Sequence, residues 1–152
     1  MTAPEAIRFH FAGCPFGEPC SEAEIRRAES MLNEPIPRPL RELYLAFDGF
    51  HGPALASFFW PLFATAACPS LGLVESNTDM REDSVSGFPP FVSGSLFFGG
   101  NERMWGIKTD LPDHIIEWNP WDDGFKIVGR TPLEVWLTEK KCYDELDNDR
   151  NA

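Results

Sequence analysis

The chain reads as an α+β fold: a helix pair on its N-terminal side, a central, mostly antiparallel meandering sheet, and a C-terminal helix packed on that sheet. Three observations predict it. Residues 21–49 carry two helical apolar periods with their own end signals, residues 91–129 break into four short apolar runs, and a capped helical period returns at residue 131. Helices and strands thus come in separate runs, unlike the βαβ alternation of a doubly wound sheet.

Taken in order, residues 1–20 contain "AGCPFGEPC", whose prolines and glycines break any long period, so a loop-rich leader is expected there. Ser21 followed by Glu24 has the form of a capping box, and Ile25, Ala28 and Leu32 recur on one face of a first helix ending near Asn33. Pro37 suits the first turn of a second helix, in which Leu40, Leu43, Tyr44 and Phe47 follow at helical spacing. Asp48 and Gly49 stop it, because glycine takes the left-handed conformation that helix ends require.

"ALASFFWPL", residues 54–62, is rich in strand formers, with Pro61 marking a strand end or sheet edge. Residues 65–84 read as a short helix or an irregular connection. Beyond them "FVSGSLFFGG", "RMWGIKT", "HIIEWNP" and "FKIVG" are the strands of the meander, the last two joined by the hairpin loop "NPWDDG". Thr131, Pro132 and Glu134 then open a final helix carrying Leu133, Trp136, Leu137 and Tyr143. The expected organisation is a leader over 1–20, one α+β domain over 21–144, and a polar, fraying tail over 145–152.

At 152 residues such a domain buries about two-thirds of its unfolded surface and needs no staples. A net charge of −11 argues against nucleic acid and anionic membrane as direct partners and favours either a merely well-solvated surface or a basic partner. The start "MTAPEAIRFHF" lacks the pattern of a secretory signal, no apolar run is long enough to span a bilayer, and a cytoplasmic location is expected. Cys14, Cys20, Cys68 and Cys142 show no C-x-x-C spacing, which fits reduced thiols.

Motifs for chemistry are sparse. Cys14 with His10 is the nearest nucleophile and base pair, and an ordinary thiol beside an ordinary histidine is its bland equivalent. His10, Cys14, Cys20 and Cys68 have the soft donors zinc favours but no zinc spacing. The diglycine of "FFGGNE" lacks the lysine or helix start of a phosphate loop and reads as a turn. No catalytic group, metal or cofactor is therefore expected.

One clustering of acids is informative. Asp110, Asp113, Glu117, Asp122 and Asp123 occur without an intervening lysine or arginine and alternate with Trp118 and Trp121. Strand alternation puts Ile115 and Glu117 on one face and Ile116 and Trp118 on the other, so at least one aromatic or acid is expected to face outward. Such a patch suits a basic protein partner, aromatics giving anchor area and carboxylates steering; a core tryptophan in a solvated sheet is the alternative. The candidate partner-binding residues are Trp105, Asp113, Glu117, Trp121, Asp122 and Asp123.

"IRRAESML" followed by "PIPRPLRELYLAFDGF" resembles the N-terminal signature of the SUKH superfamily, the SMI/KNR-type cell-wall-assembly-regulator-like immunity proteins. The matching positions are Ala28 and Glu29, Ile36 and Pro37, Leu40 and Tyr44, Asp48 and Gly49. "FFWPL", "FFGGNERMWGI", "IIEWNP" and "VGRTPLEVWL" extend the resemblance loosely, to about residues 21–138. Asn33 stands where glycine is common, Ile36 where leucine is, and residues 1–20 have no counterpart. The resemblance implies an α+β fold and a stoichiometric binding role: neutralisation of a cognate toxin, a nuclease or deaminase, in a bacterial polymorphic toxin system. A regulatory interaction scaffold of the same family is the alternative, and a small thiol- or metal-dependent hydrolase is the rival from another class.

Overall fold

Two helices meet at an elbow fastened by their own side chains. The structure, a computed structural model, describes residues 1–66, 71–83 and 87–150. Helix α2, Glu22–Leu32, starts at the expected capping box: Ser21 Oγ accepts from Glu24 N at 3.1 Å, and the Glu24 carboxylate accepts from Ser21 N at 3.0 Å. Its buried face is Ile25, Ala28 and Leu32, and it ends on Asn33 in the left-handed region, φ 57°. Helix α3, Arg38–Ala46, follows Pro37 and buries Leu40, Leu43 and Tyr44. Glu29 ties the two together, accepting from Ile36 N at 2.8 Å and from Arg41 Nη1 at 3.1 Å.

Beyond α3 the chain turns through Gly49, φ 79°, where an added Cβ would stand 2.7 Å from Phe59 O. Only glycine, with no Cβ, fits both that conformation and that space. Asp48 fixes the turn by accepting from Leu62 N at 2.7 Å.

The leader expected to be loop-rich begins instead with helix α1, Ala3–His10. Thr2 and Glu5 form a capping box as complete as that of α2, and Pro4 sits in the first turn, where its missing N–H costs nothing. Ile7, Phe11 and Cys20 are buried in the main core. Arg8 donates to Ala46 O at 3.0 Å and lies over the Phe16 and Phe47 rings, which clamps α1 to α3. The prolines and glycines mark only the connection after Phe11.

A short hairpin of β1, Phe50–His51, and β2, Ser57–Phe59, follows, with Pro61 just past its end. Helix α4, Leu73–Asp83, occupies most of the stretch read as a helix or connection. The meander is as expected: β3, Ser95–Gly100; β4, Met104–Lys108; β5, Ile115–Trp118; and β6, Lys126–Gly129, antiparallel and in that order. Helix α5, Pro132–Arg150, packs on β6 and continues through residues 145–150, expected to be a fraying tail. Helix-favouring residues and the Lys140–Asp144 pair at 2.9 Å, one turn apart, sustain it beyond the sheet.

Both faces of the sheet are covered. Leu96, Phe98, Trp105, Ile107 and Ile115 join the helices and Trp136 in one core, whereas Phe97, Met104, Ile116 and Trp118 form a second with Trp60 and Val92. Trp118 is fully buried, its ring 5.1 Å from Phe88 and 5.7 Å from Phe91. The expectation that an aromatic or acid of β5 faces outward is therefore corrected: residues 88–92 supply a lid over the second face.

The β3 edge is closed too. Trp60 N donates to Phe98 O at 2.8 Å, and the amide of buried Asn77 satisfies Phe97 on both sides, donating to its C=O at 2.8 Å and accepting from its N–H at 2.8 Å. Gly99 lets β2 approach, since a Cβ there would lie 1.9 Å from Phe58 O. The hairpin is sealed in turn by residues 15–17, through His51 N to Pro15 O and Gly17 N to Gly49 O.

Cys20 and Tyr44 give the fold an alkaline weakness. Burial, then the Asp48 carboxylate, pushes the Cys20 thiol far up, and the same two causes raise Tyr44. The folded chain keeps both protons after the unfolded chain has begun to lose them. Their contribution is complete below about pH 8.5 and is lost as pH rises past the ordinary thiol and phenol values. Urea denaturation is expected to show stability falling from about pH 8.5 upward. Cys20→Ala should remove the thiol's part of that slope and leave the later phenol part.

Candidate partner-binding site

The loop between β5 and β6 is a turn locked from within. Asn119 Oδ1 accepts from Trp121 N at 3.1 Å, and Asn119 O accepts from Asp122 N at 2.8 Å. Pro120 holds the first central position, where its fixed φ favours the turn. From below, Trp118 Nε1 donates to Asp122 O at 3.2 Å, joining the loop to the second core. The Trp121 ring takes no part in these bonds and stands in solvent, the residue 89% exposed, the most exposed large apolar side chain among the described residues. Asp122 and Asp123 beside it are exposed and, among the described residues, in no ion pair.

Trp105 and Glu117 have a different place. Trp105 is buried against Phe58, with ring centroids 5.7 Å apart, and donates from Nε1 to Glu117 Oε1 at 3.3 Å. Glu117, 8% exposed, also takes Arg103 Nη1 at 3.4 Å and Lys126 Nζ at 3.1 Å, from the neighbouring strand and turn. Its charge is spent on these cations and both residues are largely buried, so they support the surface and present little of themselves to a partner. Arg103 continues to Glu139 of α5 at 2.8 Å, and this bridge fixes the β3–β4 turn against the helix.

Asp113 lies elsewhere. In a meander the connections 101–103 and 119–125 leave one end of the sheet and 109–114 the other. Asp113 is exposed at that far end, near Asp110, whose carboxyl is held below the usual range by a hydrogen bond from Lys108. Only Trp121, Asp122 and Asp123 of the expected patch share a surface, with Glu117 and Trp105 as its support.

Sequence reading missed the rest of this end. A cleft of about 280 Å³ is lined by Asn101, Glu102 and Arg103 from the β3–β4 turn and by Glu139 and Tyr143 from α5. A second, of about 320 Å³, runs between Arg103, Glu117, Asp122 and Lys126. Glu139 and Tyr143 follow buried Trp136 at helical spacing, which would have revealed them.

The reactive candidates lack a reactive setting. Cys14 is half-buried and its thiol is pushed up by burial, against the depressed value that makes a thiol nucleophilic; His10 is exposed. Among the described residues no three His, Cys, Asp or Glu side chains gather as a metal site, and Cys68 lies outside those residues. No described helix is long and apolar enough to cross a membrane. Neither a scan against known protein families nor a search of curated proteins finds a match to this chain.

Proposed function

We propose that this chain is an immunity protein that neutralises a cognate bacterial toxin, of the nuclease or deaminase class, by one-to-one occlusion through the surface of Trp121, Asp122 and Asp123. The observation that carries the binding role is Trp121 itself: a tryptophan held 89% exposed by an internally bonded turn. Leaving that ring in water forgoes about 2 kcal/mol of burial, which a partner would recover. Because the turn is already rigid, little ordering opposes the contact. The adjoining carboxylates and the net charge of −11 steer a basic partner, as nucleic-acid-cleaving proteins tend to be. The toxin class rests on the resemblance of residues 21–138 to the SUKH superfamily.

The test is co-expression with the toxin-like product of the neighbouring gene, followed by binding kinetics. Trp121→Ala is expected to weaken binding about thirtyfold, mainly through dissociation, with the melting temperature unchanged. Asp122→Asn with Asp123→Asn should slow association and flatten its salt dependence. Equal protection by wild type and Trp121→Ala would refute this surface, and absence of any complex would refute the immunity reading.

A further inference from the structure

The four-stranded sheet has one open edge, and it belongs to the strand that Trp121 precedes. Among the described residues no strand, turn or side chain pairs with the outward N–H and C=O groups of β6, Lys126–Gly129, whereas those of β3 are met by Trp60 and Asn77. Ile127 on that edge is 53% exposed, although its cross-strand partner Ile116 is fully buried. Unpaired backbone, an exposed apolar side chain and the Trp121 turn thus form one continuous strip.

We propose that this edge takes an extended, basic segment of the partner as a fifth strand, a mode of binding that rests on the reading above. Main-chain bonds to β6 would supply affinity, and alternate side chains would lie beside Ile127 on one face and beside Lys126 and Val128 on the other. Charge selects the occupant. A second copy would bring a further −11, while a basic segment meets Asp122 and Asp123, which no cation of this chain pairs among the described residues. Lys126, the usual guard of such an edge, already has its charge engaged by Glu117 at 3.1 Å. Arg130 stands at the other end of β6 from Asp122, so the basic residues of the added strand belong at the loop end.

The probe is a short peptide alternating lysine and valine, titrated into the isotope-labelled protein, with a glutamate–valine peptide and an alternately N-methylated lysine–valine peptide as controls. The lysine–valine peptide is expected to shift and protect amides within 126–129, the acidic peptide to leave them alone, and N-methylation to weaken binding about tenfold. Ile127→Lys, at an exposed position the fold tolerates, should cost a similar factor. Unprotected edge amides, or undiminished binding of the N-methylated peptide, would overturn the proposal, as would a concentration-dependent dimer that protects the same amides in free protein. With the cognate toxin, sensitivity to Trp121→Ala but not to Ile127→Lys would sink the edge alone. Insensitivity to both would sink the edge and the surface together.

Discussion

Replacing Trp136 by alanine is expected to cost about 3–5 kcal/mol of stability, the range for deleting a large buried aromatic. The ring is fully buried where α5 meets the β1–β2 hairpin and the sheet, with Phe50 at 5.0 Å, Phe59 at 5.5 Å and Phe98 at 5.9 Å between centroids. Those rings belong to three different strands, so the cavity left behind cannot be closed by shifting one of them. The change also strands an acceptor, because Trp136 Nε1 donates to Phe58 O at 2.9 Å. Trp136→Phe separates the two losses, keeping most of the packing while forfeiting that bond, for roughly 1–3 kcal/mol. Urea denaturation of both variants measures the split. A Trp136→Ala midpoint close to that of Trp136→Phe would show that the hydrogen bond, not the packing, holds α5 in place.

The second large effect is expected at Asn77. Asn77→Leu keeps the volume but leaves the Phe97 N–H and C=O unpaired in the interior, at roughly 2–5 kcal/mol for the two. Asn77 is 1% exposed, so bulk solvent is not at hand to replace the lost bonds. Hydrogen exchange gives the residue-specific check. The Phe97 amide, protected through Asn77 Oδ1 at 2.8 Å, should exchange much faster in the variant, while amides of β5 keep their relative protection. Asn77→Asp should retain the acceptor, lose both donors and add a buried charge. Equal stability of Asn77→Leu and wild type would mean that the β3 edge finds another partner.

The helices were legible because their signals are local: Ser21 and Glu24, Pro37, Asp48 and Gly49 each act within one turn of the chain. Helix α1 has the same kind of signal in Thr2 and Glu5, and it went unread because the nearby prolines and glycines of residues 12–20 outweighed it. The strands were legible as apolar runs, but which faces they bury was not. That depends on residues 88–92, whose return over the sheet no strand pattern encodes. The unbroken burial of β3 matches the apolar run "LFF", whereas that of β5 includes Glu117, buried only because Arg103, Lys126 and Trp105 meet its carboxylate.

For the site, the turn-forming Asn119, Pro120 and Gly124 could be read directly, and with them the exposure of Trp121. Glu117 could not, since its neutralising cations, Arg103 and Lys126, come from a neighbouring turn and strand and meet it only once the register is set. Asp113 was grouped with the others by sequence proximity, whereas a meander sends successive loops to opposite ends.

Asn77 has a consequence for assembly. Open-ended growth of a sheet needs two complementary edges per molecule, one to receive and one to offer. Here the amide of one side chain, with the Trp60 backbone, terminates the sheet on its β3 side. Any strand added at β6 is therefore the last: the sheet has no second free edge among the described residues from which a fibre could grow.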